Sequence, residues 1–293
     1  MVVSVLLTWM RDYFDVDWRG KDDLKGAFMS FLEILSTSPN PNFRILSKQL
    51  QDEYASLSQR VSSSIQSPIT VTPLQWSDME EWQKSLDQYD EDQIADTLTL
   101  YFYHIFQNIQ ERDYLDWLKG EKKTNGSDYI QQLVDLFNRV SAWTSKEIVT
   151  VMKLSKRVEV FEKLVGVAGR LFQCNNFIGA KAVILGVTSS FILRMEKTFK
   201  SLSQDTIAKL NELEKAFSSE KNYKYYRRLL EDAAPPCIPY LAVHQKDLVF
   251  LKDGNPNFLQ STLINFSKRS RTAEIIFDLS FCQIGSYQNN PPR

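Results

Sequence analysis

Side chains suited to bond-making chemistry are scarce in this sequence. Two histidines, His104 and His244, and three scattered cysteines, Cys174, Cys237 and Cys282, occur in 293 residues. That inventory nearly excludes a zinc centre or a nucleophile–histidine pair, which need several such groups converging. The odd cysteine count makes no disulfide framework and points to a reducing compartment. The GxxxxGK, GxGxxG, HExxH and CxxC patterns are missing, and Gly179 and Gly186, with Lys181 between them, have neither glycine-rich spacing. Carboxylates are plentiful, yet no close pair sits in an apolar context that would raise a pKa. Asp90-Glu91-Asp92 reads as a solvated helix start. Arg227-Arg228 and Lys268-Arg269-Ser270-Arg271 read as solvated faces, too small for a nucleic-acid stripe. With 35 basic and 36 acidic residues the net charge is -1, which argues against a polyanion binder. No metal, cofactor or nucleic-acid partner is expected, and a protein–protein role is favoured by elimination.

The elements that position these residues are helices. Apolar residues recur at helical spacing almost throughout, and sustained alternation is scarce. Ile130, Leu133, Val134, Phe137 and Val140 form one stripe, with Asp128 and Gln131 spaced as a capping box. Val158, Phe161, Val165, Ala168 and Phe172 form a second, with Ser155 placed to cap it. Ile207, Leu210 and Phe217 share a third face. The fold class is therefore mainly α. Ser56, Ser58, Ser62, Ser63, Ser64 and Ser67 lead into Pro68 and Pro73 and read as a linker. Trp76, Trp82, Trp117 and Trp143 read as core or half-buried anchors. The apolar start at residues 1–10 reads as a helix rather than a signal peptide, and no apolar run reaches the ~18 residues of a membrane span.

Pro239 and Pro256 bracket one further segment. Its apolar clusters, 240–243 and 248–251, flank the polar centre His244–Asp247, and Asp253-Gly254-Asn255-Pro256 is a turn signal. The pattern predicts a short hairpin, helical or extended, with a buried turn between core helices as the plainer reading.

Six segments in order resemble the catalytic domain of Ras-type guanine nucleotide exchange factors. They are IADTLTLYFYHIFQNI (94–109), FNRVSAW (137–143), NNFIGAKAVILGVTSSFILRMEKTF (175–199), NYKYYRRLL (222–230), PPCIPYLAVHQKDLVFLKDGNPN (235–257) and LINFSKRSRTAEII (263–276). The resemblance implies a multi-helix catalytic domain with a protruding helical hairpin at 76–293. Residues 55–75 are then a Ser/Pro-rich linker, and residues 1–54 the tail of the family's N-terminal exchanger module, so the chain reads as a fragment or short form. The implied location is cytoplasmic, without direct membrane insertion, and with recruitment to membranes through partners or regions outside this chain.

The resemblance also implies the activity. The partner is a Ras-family small GTPase, bound most tightly when nucleotide-free, so the exchanger weakens GDP binding without covalent chemistry. A helical hairpin matching residues 240–255 pries the first switch away from the nucleotide. By position, Val249 enters the Mg²⁺ site, Asp253 crowds the phosphate site, and Asn255 fixes the hairpin base. Val249 and Asp253 are four apart and share a face on a helix. Pro239 and Gly254 set the ends of the hairpin. Val134, Asp135, Tyr223, Tyr240, Thr188, Lys181 and Arg271 match the surface that grips the GTPase. Asp135, Lys181, Thr188 and Phe191 depart from the family pattern of a basic residue, an apolar residue, Asn and Pro, and an insertion of about five residues precedes Tyr287. The alternative is a degenerate member that binds a GTPase as a scaffold without exchange.

Overall fold

The computed structural model describes residues 2–18, 21–59, 86, 88–120, 128–260 and 262–287. Residues 60–75 of the expected linker, and Trp76 and Trp82, lie outside them. The chain separates into two compact units, residues 1–73 and 74–293.

In the first unit α1 (Val2–Tyr13) runs into a π-helical turn (Phe14–Trp18), followed by α2 (Asp22–Ser36) and α3 (Pro41–Gln59). Pro41 opens α3, where its missing N–H costs nothing. Phe28 and Leu32 of α2 meet Leu50 and Leu57 of α3, together with Met10, Phe14 and Trp18. α3 continues through residues 55–59, so the linker expected over 55–75 does not begin at residue 55. Ser56 and Ser58 face solvent while Leu57 between them is buried. A helix of this kind is held by its apolar face, not by the composition of its exposed one.

The second unit is built from α4 (Glu91–Phe106), α5 (Glu111–Lys119), α6 (Tyr129–Val149), α7 (Leu154–Gln173), α8 (Phe177–Val187), the short α9 (Ser190–Leu193) and α10 (Glu196–Lys200), α11 (Gln204–Ala216), α12 (Lys224–Asp232), α13 (Leu241–Gly254) and α14 (Phe266–Phe281). A two-residue antiparallel ladder, β1 (Phe258–Leu259) with β2 (Leu263–Ile264), joins α13 to α14. α8 is apolar on nearly every side and lies at the centre, packed on α6 and α7, with α4 against α7. Gly186 permits the close packing of α8 on α6: a Cβ there would stand 2.5 Å from the Cβ of Thr144.

Local signals account for several helix starts. The side chains of Asp90 and Gln93 close a full capping box on α4. Ser203 caps α11, its Oγ accepting from the Thr206 N–H. On α6 only half of the expected box forms. Asp128 accepts from the Gln131 N–H, but the Gln131 amide turns forward to Asp135 Oδ1 at 2.9 Å. Ser155 does not cap α7, which begins one residue earlier with Lys153 at the cap position.

Residues 240–255 do not fold back on themselves. They form the single helix α13, and the hairpin consists of α13 paired with α14. The polar centre that suggests a break is one helical turn: Asp247 pairs with Arg227 of α12, and the His244 ring packs edge-on against the Tyr226 ring at 6.2 Å with its Nε2 left without a hydrogen bond.

Candidate functional site

α13 is fixed at both ends. At its start, the buried Pro239 precedes Tyr240, whose backbone N–H donates to the Tyr226 hydroxyl at 2.7 Å. The segment just before it is tied to the start of α8, Ile238 O accepting from Phe177 N–H at 2.9 Å. Arg227 then grips Asp247 through two nitrogens, Nη1–Oδ2 2.7 Å and Nη2–Oδ1 2.9 Å. This is the fork geometry that makes arginine–carboxylate pairs directional. His244, on the buried face, has its pKa pushed down to about 4, chiefly by burial and further by the Arg227 guanidinium, with Asp247 opposing. The ring is neutral near pH 7.

At the far end, the helix stops against Lys268 of α14. Its buried ammonium donates to Lys252 O at 2.7 Å, Asn255 O at 2.6 Å and Asn257 Oδ1 at 3.0 Å. A cation at a helix C-terminus satisfies orphaned carbonyls and complements the dipole. Asn265 completes the joint. Its Nδ2 donates to Pro256 O at 3.0 Å, its N–H to Asn257 O at 3.0 Å, and its Oδ1 accepts the Lys268 N–H that starts α14. Lys252 reaches sideways to Leu118 O at the end of α5.

With the helix held in this way, Ala242, Lys246, Val249 and Asp253 lie along its exposed face at helical spacing. Phe250 beside them is 61% exposed and Val249 38%. Asn255 is half-buried at the helix end and donates to Leu251 O at 3.3 Å. Gly254 is the last helical residue, has no positive φ, and its absent Cβ would meet nothing within 4 Å. The expected conformational role of Gly254 in setting the hairpin end therefore has no basis in the backbone: Lys268 and Asn265 set it. Arg271, one turn beyond Lys268, is exposed.

The other candidate residues lie around the start of α13 and, at Tyr223, beside its middle turn, where Lys246 bridges toward Phe250. Tyr240 stacks on Phe137 of α6 at 5.9 Å and meets Phe217 edge-on at 6.1 Å. Phe217 also carries the Lys181 ammonium, 5.7 Å from its centroid. Burial lowers the Lys181 pKa, with Glu214 opposing, and raises that of Tyr240, helped by the neighbouring Tyr223. Tyr223 sits at a positive φ of 58° before α12 with Lys246 over its ring at 5.8 Å. Val134 lies half-buried one turn before Phe137, with Asp135 exposed beside it. On α8, Lys181, Leu185 and Thr188 share a partly open face that ends at Phe191, 70% exposed. The Thr188 hydroxyl is occupied by Ile184 O at 2.8 Å.

Sequence reasoning passed over the residues that hold this arrangement. Lys268 and Arg227 stand in charged clusters whose composition alone suggests solvated faces, yet Lys268 is buried and Arg227 is half-buried against Asp247. Phe217 and Tyr226 carried only a helical-stripe or motif signal. Among the described residues no group of three or more His, Cys, Asp or Glu is arranged to hold a metal, and no helix is long and apolar enough to cross a membrane.

The RasGEF domain family matches residues 93–270. The chain is similar to Ras guanine nucleotide exchange factor R of Dictyostelium discoideum, 32% identical over 293 residues that cover 96% of this chain and 16% of that protein. It is similar to Ras guanine nucleotide exchange factor I of the same organism, 33% identical over 98% of this chain and 34% of that protein. A human relative, Ras-specific guanine nucleotide-releasing factor 1, is 28% identical over 98% of this chain and 22% of its own length. The chain thus spans about a third or less of each of these relatives.

Proposed function

Since the chain belongs to the RasGEF family, we propose that it promotes GDP release and GTP loading on a Ras-family small GTPase. The observation that carries this reading is α13 itself, a helix clamped at both ends that presents Val249 and Asp253 together on an open face. The wedge works by substitution of contacts. An apolar side chain at the GTPase metal site removes oxygen ligands that Mg²⁺ requires. A carboxylate at the phosphate site occupies the lysine and backbone donors that held phosphate. Neither step makes or breaks a covalent bond. The energy comes from binding the empty GTPase better than the loaded one.

Tyr240, Tyr223, Val134, Asp135, Lys181 and Thr188 form the gripping surface around the Phe137–Phe217 aromatic cluster, with Arg271 contacting the GTPase from the α14 side. Tyr240 stands at the start of α13 and Asp253 near its end, so one rigid helix would hold the GTPase with one patch while it displaces the first switch with the other. Asp135 and Lys181 bear charges where the family favours a basic and an apolar residue, which makes them the natural determinants of which GTPase is accepted.

Release of fluorescent GDP from a panel of Ras, Rap, Ral and Rho GTPases tests the reading. Acceleration is expected on one or more of the first three. The complex should be tightest without nucleotide and dissolve with excess GDP and Mg²⁺, because reciprocity makes the two affinities oppose each other by the same factor. Binding of the GDP-bound and empty forms with equal affinity, with no acceleration, would replace exchange with the scaffold alternative.

A further inference from the structure

The three cysteines, scattered in sequence, converge in the second unit. The Tyr287 hydroxyl donates to Cys174 O at 2.7 Å and Pro236 O at 2.9 Å, and the thiols of Cys237, Cys174 and Cys282 all help to raise its pKa, behind burial. Two of them are closer still. Cys237 N–H donates to Cys282 O at 3.0 Å. With N–Cα about 1.5 Å and Cα to carbonyl O about 2.4 Å, that bond holds the two Cα atoms within about 7 Å. A disulfide spans Cα separations of roughly 4.4–6.8 Å. Both residues are buried, and each thiol is the first influence on the other's acidity.

Their place in the fold gives the pair a consequence. Cys237 lies three residues before Tyr240, where α13 begins, and Cys282 is the C-cap of α14. The two therefore stand at the two feet of the hairpin, and nothing in the exchange reaction uses a thiol. We propose that Cys237 and Cys282 are a reversible oxidation site whose disulfide closes a covalent ring around the α13–α14 hairpin at its base.

The oxidant is a peroxide. The Cys237 thiolate attacks one peroxide oxygen, the O–O bond breaks, and a sulfenic acid and hydroxide form. The Cys282 sulfur then displaces the sulfenic hydroxyl as water, so that two thiols and one hydrogen peroxide give one disulfide and two waters. A small dithiol returns the pair by exchange and is itself oxidised. Cys237 is the first attacker because the neighbouring Cys282 thiol lowers its pKa, whereas Cys282 is pushed well up by the same contact and by burial.

The test treats the folded full chain with hydrogen peroxide, then denatures, alkylates and weighs it. Three alkylatable thiols should fall to one, a cross-linked tryptic pair of peptides 229–246 and 272–293 should appear, and dithiothreitol should restore all three. Hydrogen exchange over α13 and α14 should slow at least tenfold in the oxidised chain. Cys174→Ser should leave the bridge intact and Cys282→Ala should abolish it; if the latter misfolds, the wild-type peptide map decides alone. Three thiols surviving peroxide, a bridge that contains Cys174, or separate sulfinic acids without a bridge would each overturn the proposal. The readout is independent of GDP release, so failure of the exchange reading leaves it standing and the converse.

Discussion

Lys268→Met isolates the joint between α13 and α14. The substitution keeps the length and apolar stem of the side chain and removes a buried ammonium that serves Lys252 O, Asn255 O and Asn257 Oδ1. Each hydrogen bond from a charged donor contributes roughly 1.5–3 kcal/mol. Against that stands the cost of burying the ammonium, several kcal/mol, and the freedom of the half-exposed α13 end to rehydrate. We expect a net loss of about 3 kcal/mol, within the range for breaking a buried charged network. For a unit of this size, each kcal/mol shifts Tm by about 2–4 °C, so the second unit should melt roughly 6–12 °C lower. GDP release is then measured well below that transition. If the position of the hairpin carries exchange, the rate should fall at least tenfold while far-UV circular dichroism stays helical. Arg269→Ala, at an exposed position beside it, is the control and should leave Tm within about 1 °C. A Lys268→Met protein with wild-type melting and wild-type exchange would refute the clamp, and with it the argument that hairpin position matters.

Four further outcomes follow from the same geometry. His244, neutral when folded and with a depressed pKa near 4, gains its proton in the unfolded chain first, so stability is full above about pH 6.5 and is lost as pH falls toward 4, by about 3 kcal/mol in all. Melting curves at pH 7.5 and 5 should show this loss in wild type and much less in His244→Phe, whereas parallel curves would put the titration elsewhere. Gly254→Ala should raise helix stability by about 0.5–1 kcal/mol, because Gly254 has helical backbone and open space around it; a drop in GDP release without a drop in Tm would assign Gly254 to contact with the GTPase. Val249→Ala and Asp253→Ala, on the exposed face, should leave Tm unchanged and slow exchange several-fold, and rates equal to wild type for both would remove the wedge role from that face. Tyr240→Ala strips the ring from Phe137 and Phe217 and should weaken both the GTPase complex, by about 2 kcal/mol or more, and the fold; unchanged pull-down of nucleotide-free GTPase would detach Tyr240 from the gripping surface.

What the sequence by itself determined is local or periodic. The helical class, the α6, α7 and α11 stripes, and the helix start at Asp90 follow from interactions within four residues, which spacing reports directly. The six ordered segments identified the family because they record many such constraints at once. Where a local signal failed, a partner from elsewhere had intervened. Residues 244–247 looked like a break because polar residues interrupt the apolar pattern. They are a helical turn because Arg227, twenty residues upstream, neutralises Asp247 and Tyr226 covers His244. Lys268 looked solvated because three of four residues in its cluster bear charge; it is buried because the end of α13 brings it two carbonyls. The meeting of Cys237 with Cys282, and of Lys181 with Phe217, was invisible for the same reason. Periodicity states which face of an element is turned inward, but only the packed tertiary structure decides which distant residue that face meets, and the partner sets the burial, charge and reactivity of each side chain at the site.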